Sequence, residues 1–349
     1  MAVKGFAILL LLIYHLFSNE FVVAALGVNY SPFPLSGFLT FSLFGNICVS
    51  VFVFMTSFGI AVGLFSTEEL SAEKAYAQAT RRFFTLMGNF FLLYLSVNLL
   101  WWNRFDRAAT YGIGKQGLLN MLLDATGLHN LAGTGTINVT WWYMKLAYIL
   151  IFLVPLIVLI TKKAGYTSLI LSLMLPVLVP LDEDIKRYLF TSVLGVCTAY
   201  GKWPDKLMEL CGSARKHPKC FALLQWVLGI AGFIACVALR QNKFIQENYL
   251  HVVDGAVSLF LLFFAGILLG SVPVLKQILQ FIGRHSLNIY LVHTFFYLLL
   301  WQKFIYSFRY AGLILLALLA VSLAYSVVLE LLKKGMIKFF HSSEGLHMR

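Results

Sequence analysis

The sequence predicts an all-α fold: a polytopic membrane helical bundle of about ten transmembrane helices with both termini cytoplasmic. Three observations lead there. Of 349 residues, 60% are hydrophobic and 12% charged, about half the charged share of a soluble domain, and the mean hydropathy is +0.82. The apolar letters come in long runs rather than alternating, as barrel strands would. Basic residues are more numerous on one side of the alternating loops than on the other.

Taken in order, the apolar blocks are 4–26 with a polar break, 42–65, 82–102, 141–160, 166–181, 186–201, 220–240, 252–271, 286–305 and 310–332. The first starts at Lys4, the third at Arg82, and the fourth ends before Lys162 and Lys163. The fifth and sixth are short and separated only by LDEDIKR, residues 181–187, which fits a tight hairpin or two half-helices. With the N-terminus inside, 17 of the 27 Lys and Arg residues fall on the inner side, Arg215, Lys216, Lys219, Lys338 and Arg349 among them. The other 10, including Lys145, fall outside. Trp101, Trp102, Trp141, Trp142 and Tyr143 cluster at the outer ends of the third and fourth blocks, as an interfacial belt would. The sizeable loops are 103–140 outside and 202–219 inside.

The net charge of +12 does not argue for nucleic acid, because the basic residues are scattered among loops and positive-inside topology accounts for the excess. Five cysteines, Cys48, Cys197, Cys211, Cys220 and Cys236, form no CxxC and have no histidine at metal spacing, so neither a metal site nor a disulfide framework is read. The acidic triplet Asp182, Glu183 and Asp184 reads as a helix start rather than a calcium site. A cleavable leader over residues 1–25 competes with a first span, but such a leader has no use for a histidine in its core.

That histidine is the feature needing explanation. In KGFAILLLLIYHLF, residues 4–17, His15 follows Lys4 by eleven positions, about 16 Å along a helix, which pairs a cation at one face with a titratable ring roughly half a bilayer deep. Alone it reads equally as a buried imidazole bonded to a neighbouring helix. Lys4-Gly5-Phe6-Ala7-Ile8-Leu9-Leu10-Leu11-Leu12-Ile13-Tyr14-His15, however, resembles the Arg/Lys-x10-His signature of the acyltransferase 3 family. Gly283-Arg284-His285-Ser286-Leu287-Asn288-Ile289-Tyr290-Leu291-Val292-His293 resembles its late G-x-x-S-x-x-I-Y-L-x-H element. Val49 to Gly59 is similar to its second-span pattern, Arg81-Arg82 to the basic start of its third span, and Thr140-Trp141-Trp142-Tyr143 to its T-W-Y element. The chain departs from the family in having Ala2 and Val3 where an Asp often precedes the basic residue. It also lacks the further Arg and Pro of the third span.

The resemblance implies one integral-membrane acyltransferase domain over residues 1–349, multi-pass in the plasma (inner) membrane. It implies transfer of an acyl group, acetyl first, from cytoplasmic acyl-CoA to a hydroxyl of a cell-surface glycan or its lipid-linked precursor, with acyl-CoA a co-substrate and no permanently bound cofactor. His15 would then be the general base, and Lys4, Arg81, Arg82 and Arg284 would hold the donor's phosphates. Glu20 would greet an acceptor or only cap a helix. Trp142 and Tyr143 would stack on a sugar or anchor at the interface. Asn288, Tyr290 and His293 would line an acyl tunnel or stabilise the thioester oxyanion, or else Tyr290 would be an interface anchor and His293 a structural hydrogen bonder, and Ser286 would cap the ninth block. Arg104, Asp106, Arg107, Lys115, Asp124 and His129 in the outer loop would bind an acceptor or solvate the surface. The rival class is a transporter using His15 as a proton relay; the lack of visible internal symmetry speaks against it.

Overall fold

The computed structural model describes residues 1–213 and 218–344. Arg215, Lys216 and Arg349 lie outside the described residues, and the side chains of Lys219, Lys338, Cys211 and Cys220 are likewise outside the description. The chain is helical throughout: α1 (Ala2–Phe17), α2 (Glu20–Ala25), α3 (Leu35–Phe44), α4 (Cys48–Phe65), α5 (Ala72–Leu100), α6 (Arg107–Tyr111), α7 (Gly114–Ala125), α8 (His129–Ala132), α9 (Tyr143–Ala164), α10 (Thr167–Leu178), α11 (Glu183–Tyr200), α12 (Trp203–Ser213), α13 (Pro218–Gln241), α14 (Lys243–Asn248), α15 (Leu250–Phe263), α16 (Pro273–Thr294), α17 (Gln302–Tyr306) and α18 (Ala311–Glu344). Among the described residues the strand content is a single bridge between Asn29 and Tyr310.

Among the described residues six helices are long and apolar enough to cross a membrane: Leu35–Phe65, Ala72–Leu100, Val139–Ala164, Ala222–Gln241, Leu250–Ser271 and Ala311–Gly335. The protein is therefore a multi-pass membrane protein. The remaining apolar blocks are helical too, but α1 and α10 are short and α11 and α16 carry more polar residues. At 16 residues, α1 is about 24 Å long, less than a hydrocarbon core of about 30 Å.

Several boundaries move, each for a local reason. The first block ends at Phe17, because Asn19 caps a separate α2 by accepting from the Val22 amide. The third begins ten residues early, where Ser71 accepts from the Lys74 amide, so Arg81 and Arg82 sit inside α5 rather than at its start. The ninth begins at Pro273, suited to a first helical turn. Ser286 is consequently mid-helix, its hydroxyl donating to the Gly283 carbonyl, and is not a cap. Asp182 does cap α11, accepting from the Asp184 amide, and with Asp184 it holds Lys145 at 2.8 and 3.2 Å.

Two close approaches position the centre of the bundle. A methyl group on Gly5 would lie 2.0 Å from the Leu279 carbonyl oxygen, and one on Gly283 would lie 2.2 Å from that of Met1, so bare backbone lets α1 and α16 touch, the small-residue contact that membrane helices favour. On the other side of α1, a methyl on Gly45 would meet the Leu10 carbonyl at 2.3 Å. Gly45 opens the 3₁₀ turn Gly45–Ile47 between α3 and α4. These contacts set α4 antiparallel to α1 and α16 alongside it in the same direction.

Candidate active site

His15 points from α1 toward α16. Its ring centroid lies 4.9 Å from that of His293 and 6.1 Å from that of Tyr297, and its Nδ1 is 3.4 Å from the Tyr297 hydroxyl. His293 is fully buried and held by its Nδ1, which donates to the Tyr290 carbonyl at 2.7 Å. Since a carbonyl only accepts, the neutral His293 ring keeps its lone pair on Nε2, 3.4 Å from the Thr294 hydroxyl. Tyr297 stacks on His293 with centroids 5.8 Å apart. It sits in the π-helical turn Phe295–Leu300 that follows α16; such turns are frequent at functional sites.

At the other end of α1, Lys4 lines a cavity of about 160 Å³ together with Phe52 and Thr56 of α4, Leu86 of α5, Tyr143 of α9 and Tyr290 of α16. Leu86 is shared with an open groove of about 360 Å³ that carries Arg81 and Arg82. Arg82 leans toward α4, 3.6 Å from where a Gly63 methyl would stand. Lys4, Arg81 and Arg82 therefore fall on one side of the bundle, around two neighbouring hollows that share Leu86 as a wall. Arg284 is exposed on α16 and lines neither hollow.

The other candidate residues divide. Tyr143 is buried, lines the cavity and packs against Tyr290 with centroids 5.2 Å apart and the rings tilted by 59°. Trp142 is partly buried beside it, centroids 6.2 Å apart. Asn288 turns from the cavity to α18, donating to the Ser326 hydroxyl and the Glu330 carboxylate at 3.0 and 2.9 Å. Glu20 is exposed at the start of α2. Tyr290 is not an interface anchor: it is buried and donates to the Thr140 carbonyl at 2.7 Å. The aromatic belt is corrected as well, since Trp141 is 0% exposed and its indole donates to the Leu291 carbonyl at 2.9 Å. Composition cannot separate such a core indole from an interfacial one; only packing on α16 does.

In the outer loop, Asp124 and His129 are buried rather than solvated. The Asp124 carboxylate accepts from the Tyr111 hydroxyl at 2.6 Å and the Ile137 amide at 3.2 Å, and His129 Nδ1 stands 3.1 Å from it. Burial pushes the Asp124 carboxyl up to about 6 and the His129 imidazole down to about 4. This carboxylate pins the segment 136–142, which lies directly on α16: Thr140 bonds Thr294 at 3.0 Å, and Asn138 donates to the Leu291 carbonyl at 3.3 Å.

The sequence reading missed Tyr297, whose only signal was its place one turn past His293. It also missed Arg240 and Asp254, a buried pair at 2.7 Å whose signal was an aspartate inside an apolar block.

A histidine pair, one ring of which turns its lone pair to a hydroxyl at only 3.4 Å, is equipped to move a proton, and a cation-lined hollow suits an anionic co-substrate. Among known proteins, neither the curated set nor the solved structures return a match. A family model described as an acyltransferase domain matches residues 2–331, a stretch that holds both histidines and all four basic candidates. The chain belongs to the acyltransferase 3 family of membrane acyltransferases.

Proposed function

We propose that the protein is a plasma-membrane O-acyltransferase of ten spans with both termini cytoplasmic, taking an acetyl group from cytoplasmic acetyl-CoA to a hydroxyl of a cell-surface glycan or its lipid-linked precursor. The observation that supports this reading most is the pairing of His15 with His293 and Tyr297 on the helix whose other end puts Lys4 into a cavity.

Lys4, with Arg81 and Arg82, takes the phosphates of the coenzyme, and the pantetheine arm runs between α1, α4 and α16 toward the histidines. The ~16 Å between Lys4 and His15 suits that arm. Tyr297 accepts the His15 Nδ1 proton, which leaves Nε2 of His15 as the base. The acceptor oxygen bonds to the acyl carbon as its proton passes to His15; the carbon–sulfur bond breaks, and the departing thiolate recovers that proton. His293, fixed by the Tyr290 carbonyl, orients the His15 ring. General-base catalysis of this kind contributes roughly 10²- to 10⁴-fold.

Cells expressing His15→Ala, His15→Gln or Lys4→Ala beside wild type, with acyl content of surface glycans read by mass spectrometry, test the assignment. Loss of acylation in both histidine variants at equal protein level is expected. Undiminished acylation in either one overturns it.

A further inference from the structure

The Lys4-lined cavity stops one layer short of the histidines. Its walls on α16 are Ser286, Leu287 and Tyr290; the next turn brings His293, whose ring is 5.9 Å from that of Tyr290 and 4.9 Å from that of His15. Neither histidine lines the cavity. The buried Tyr290 ring is thus the partition between the two halves of the site. A volume of about 160 Å³ is close to that of a cavity that holds one benzene molecule. It has room for the thioester tip of a coenzyme arm and not for a second reactant.

Two bonds hold the partition, and they lead in different directions. The Tyr290 hydroxyl donates to the Thr140 carbonyl at 2.7 Å, while the Tyr290 carbonyl accepts from His293 Nδ1 at 2.7 Å. Thr140 belongs to the outer segment that Asn138, Trp141 and Thr140 itself tie to Leu291 and Thr294. One residue therefore closes the donor cavity with its ring, aims a histidine with its backbone, and is anchored by the segment that roofs the site.

Resting on the acyltransferase reading, we propose that Tyr290 is a positioning residue: it separates the donor cavity from the histidine pair and moves aside when an acceptor hydroxyl engages the Thr140–Thr294 contact. The thioester then meets His15 together with the acceptor and not with water. Without that control, water attacks the acyl carbon, the carbon–sulfur bond breaks, and the products are free acid and free coenzyme thiol.

The test uses the full chain in sealed vesicles with acetyl-CoA and no acceptor, reading thiol release. Tyr290→Phe keeps the ring and removes one hydrogen bond, and Tyr290→Ala removes the partition. Losing a bond of about 1.4 kcal/mol predicts about tenfold faster release from Tyr290→Phe, with more from Tyr290→Ala. A merely structural tyrosine would lower the rate in both, and wherever the wild type or a variant releases thiol at all, unchanged or lowered release in both overturns the proposal. A second readout is independent of donor chemistry. With Thr294→Cys added, a small charged methanethiosulfonate applied from the Lys4 face labels the thiol when Tyr290 is replaced by alanine and spares it when Tyr290 is present. Equal labelling in the two backgrounds overturns the partition. Selective labelling together with no thiol release from any variant upholds the partition and defeats the acyl-CoA reading instead.

Discussion

Among the polar clusters inside this bundle, two are built to opposite rules. Arg240 and Asp254 meet with nearly every bond made: Nε to Oδ1 at 2.7 Å, a second guanidinium nitrogen to Oδ2 at 3.2 Å, a third to the Phe44 carbonyl at 3.3 Å, and the Ser50 hydroxyl to Oδ2 at 3.0 Å. His15 and His293 share one short bond, to the Tyr290 carbonyl, and otherwise stand 3.4 Å from their neighbours. A saturated ion pair has nothing left to offer a substrate and fixes where α13, α15 and α4 meet. Slack at the histidines leaves a lone pair for a proton. Removing one member of each cluster should therefore damage different things.

The largest effect on folding is expected at the saturated cluster. Asp254→Ala strands a buried guanidinium, a loss of about 3–5 kcal/mol, visible as a fall in melting temperature in detergent. Arg240→Met combined with Asp254→Leu removes both charges and should recover most of it. His15→Gln, by contrast, should hold stability within about 1 kcal/mol, since it gives up one long hydrogen bond. If His15→Gln unfolds the chain as readily as Asp254→Ala, the distinction between the clusters collapses.

Next in size is the spacing of the histidines. Gly283→Ala puts a methyl 2.2 Å from the Met1 carbonyl, so α1 must shift against α16, and a displacement near 1 Å in such a site costs about 10²-fold in rate. Gly59→Ala meets open space and should be silent. Acyl transfer by the purified variants, compared at equal folded fraction, decides this. Smaller again is Lys4→Met, expected to raise KM for acyl-CoA about tenfold with kcat little changed, as loss of one charge-assisted contact would. The wild-type KM should rise with salt more steeply than the variant's.

How far the site could be read in advance follows from what fixes each part. Lys4 and His15 share one helix, so their separation is a matter of rise per residue and needed no tertiary information. The partnership of His15 with His293 depends on Gly5 and Gly283 lying face to face, which two separate glycines in a sequence do not announce. Tyr297 is brought in by a π-helical turn that no apolar period reveals. Asn288 illustrates the converse: it sits in the resembling motif, yet its helix face turns it to Ser326 and Glu330. The helical blocks were legible because hydropathy reports burial in lipid; Trp141 was misread because hydropathy does not distinguish a neighbouring helix from a headgroup.

The outer loop carries a third arrangement, midway between the other two, and it should show in pH. Asp124 makes good bonds to Tyr111 and Ile137, but among the described residues His129 Nε2 is buried without a partner. Burial raises the Asp124 carboxyl from 3.8 to about 6, so its contribution to stability is full below about 4 and lost as pH rises through about 6. Burial lowers the His129 imidazole from 6.5 to about 4, so its contribution is full above about 6.5 and lost as pH falls through about 4. The two slopes oppose each other over the same window and cancel to within about one pKa unit, or about 1.4 kcal/mol. The wild-type loop should accordingly keep nearly constant hydrogen-exchange protection over residues 106–137 between pH 7 and pH 5. Each single variant exposes one slope: Asp124→Asn leaves the histidine term and should lose protection at pH 5 relative to pH 7, whereas His129→Gln leaves the carboxyl term and should gain it. Slopes of the same sign in both variants would mean that the pair does not titrate against itself and that the roof over Thr140 is held by Tyr111 and Ile137 alone.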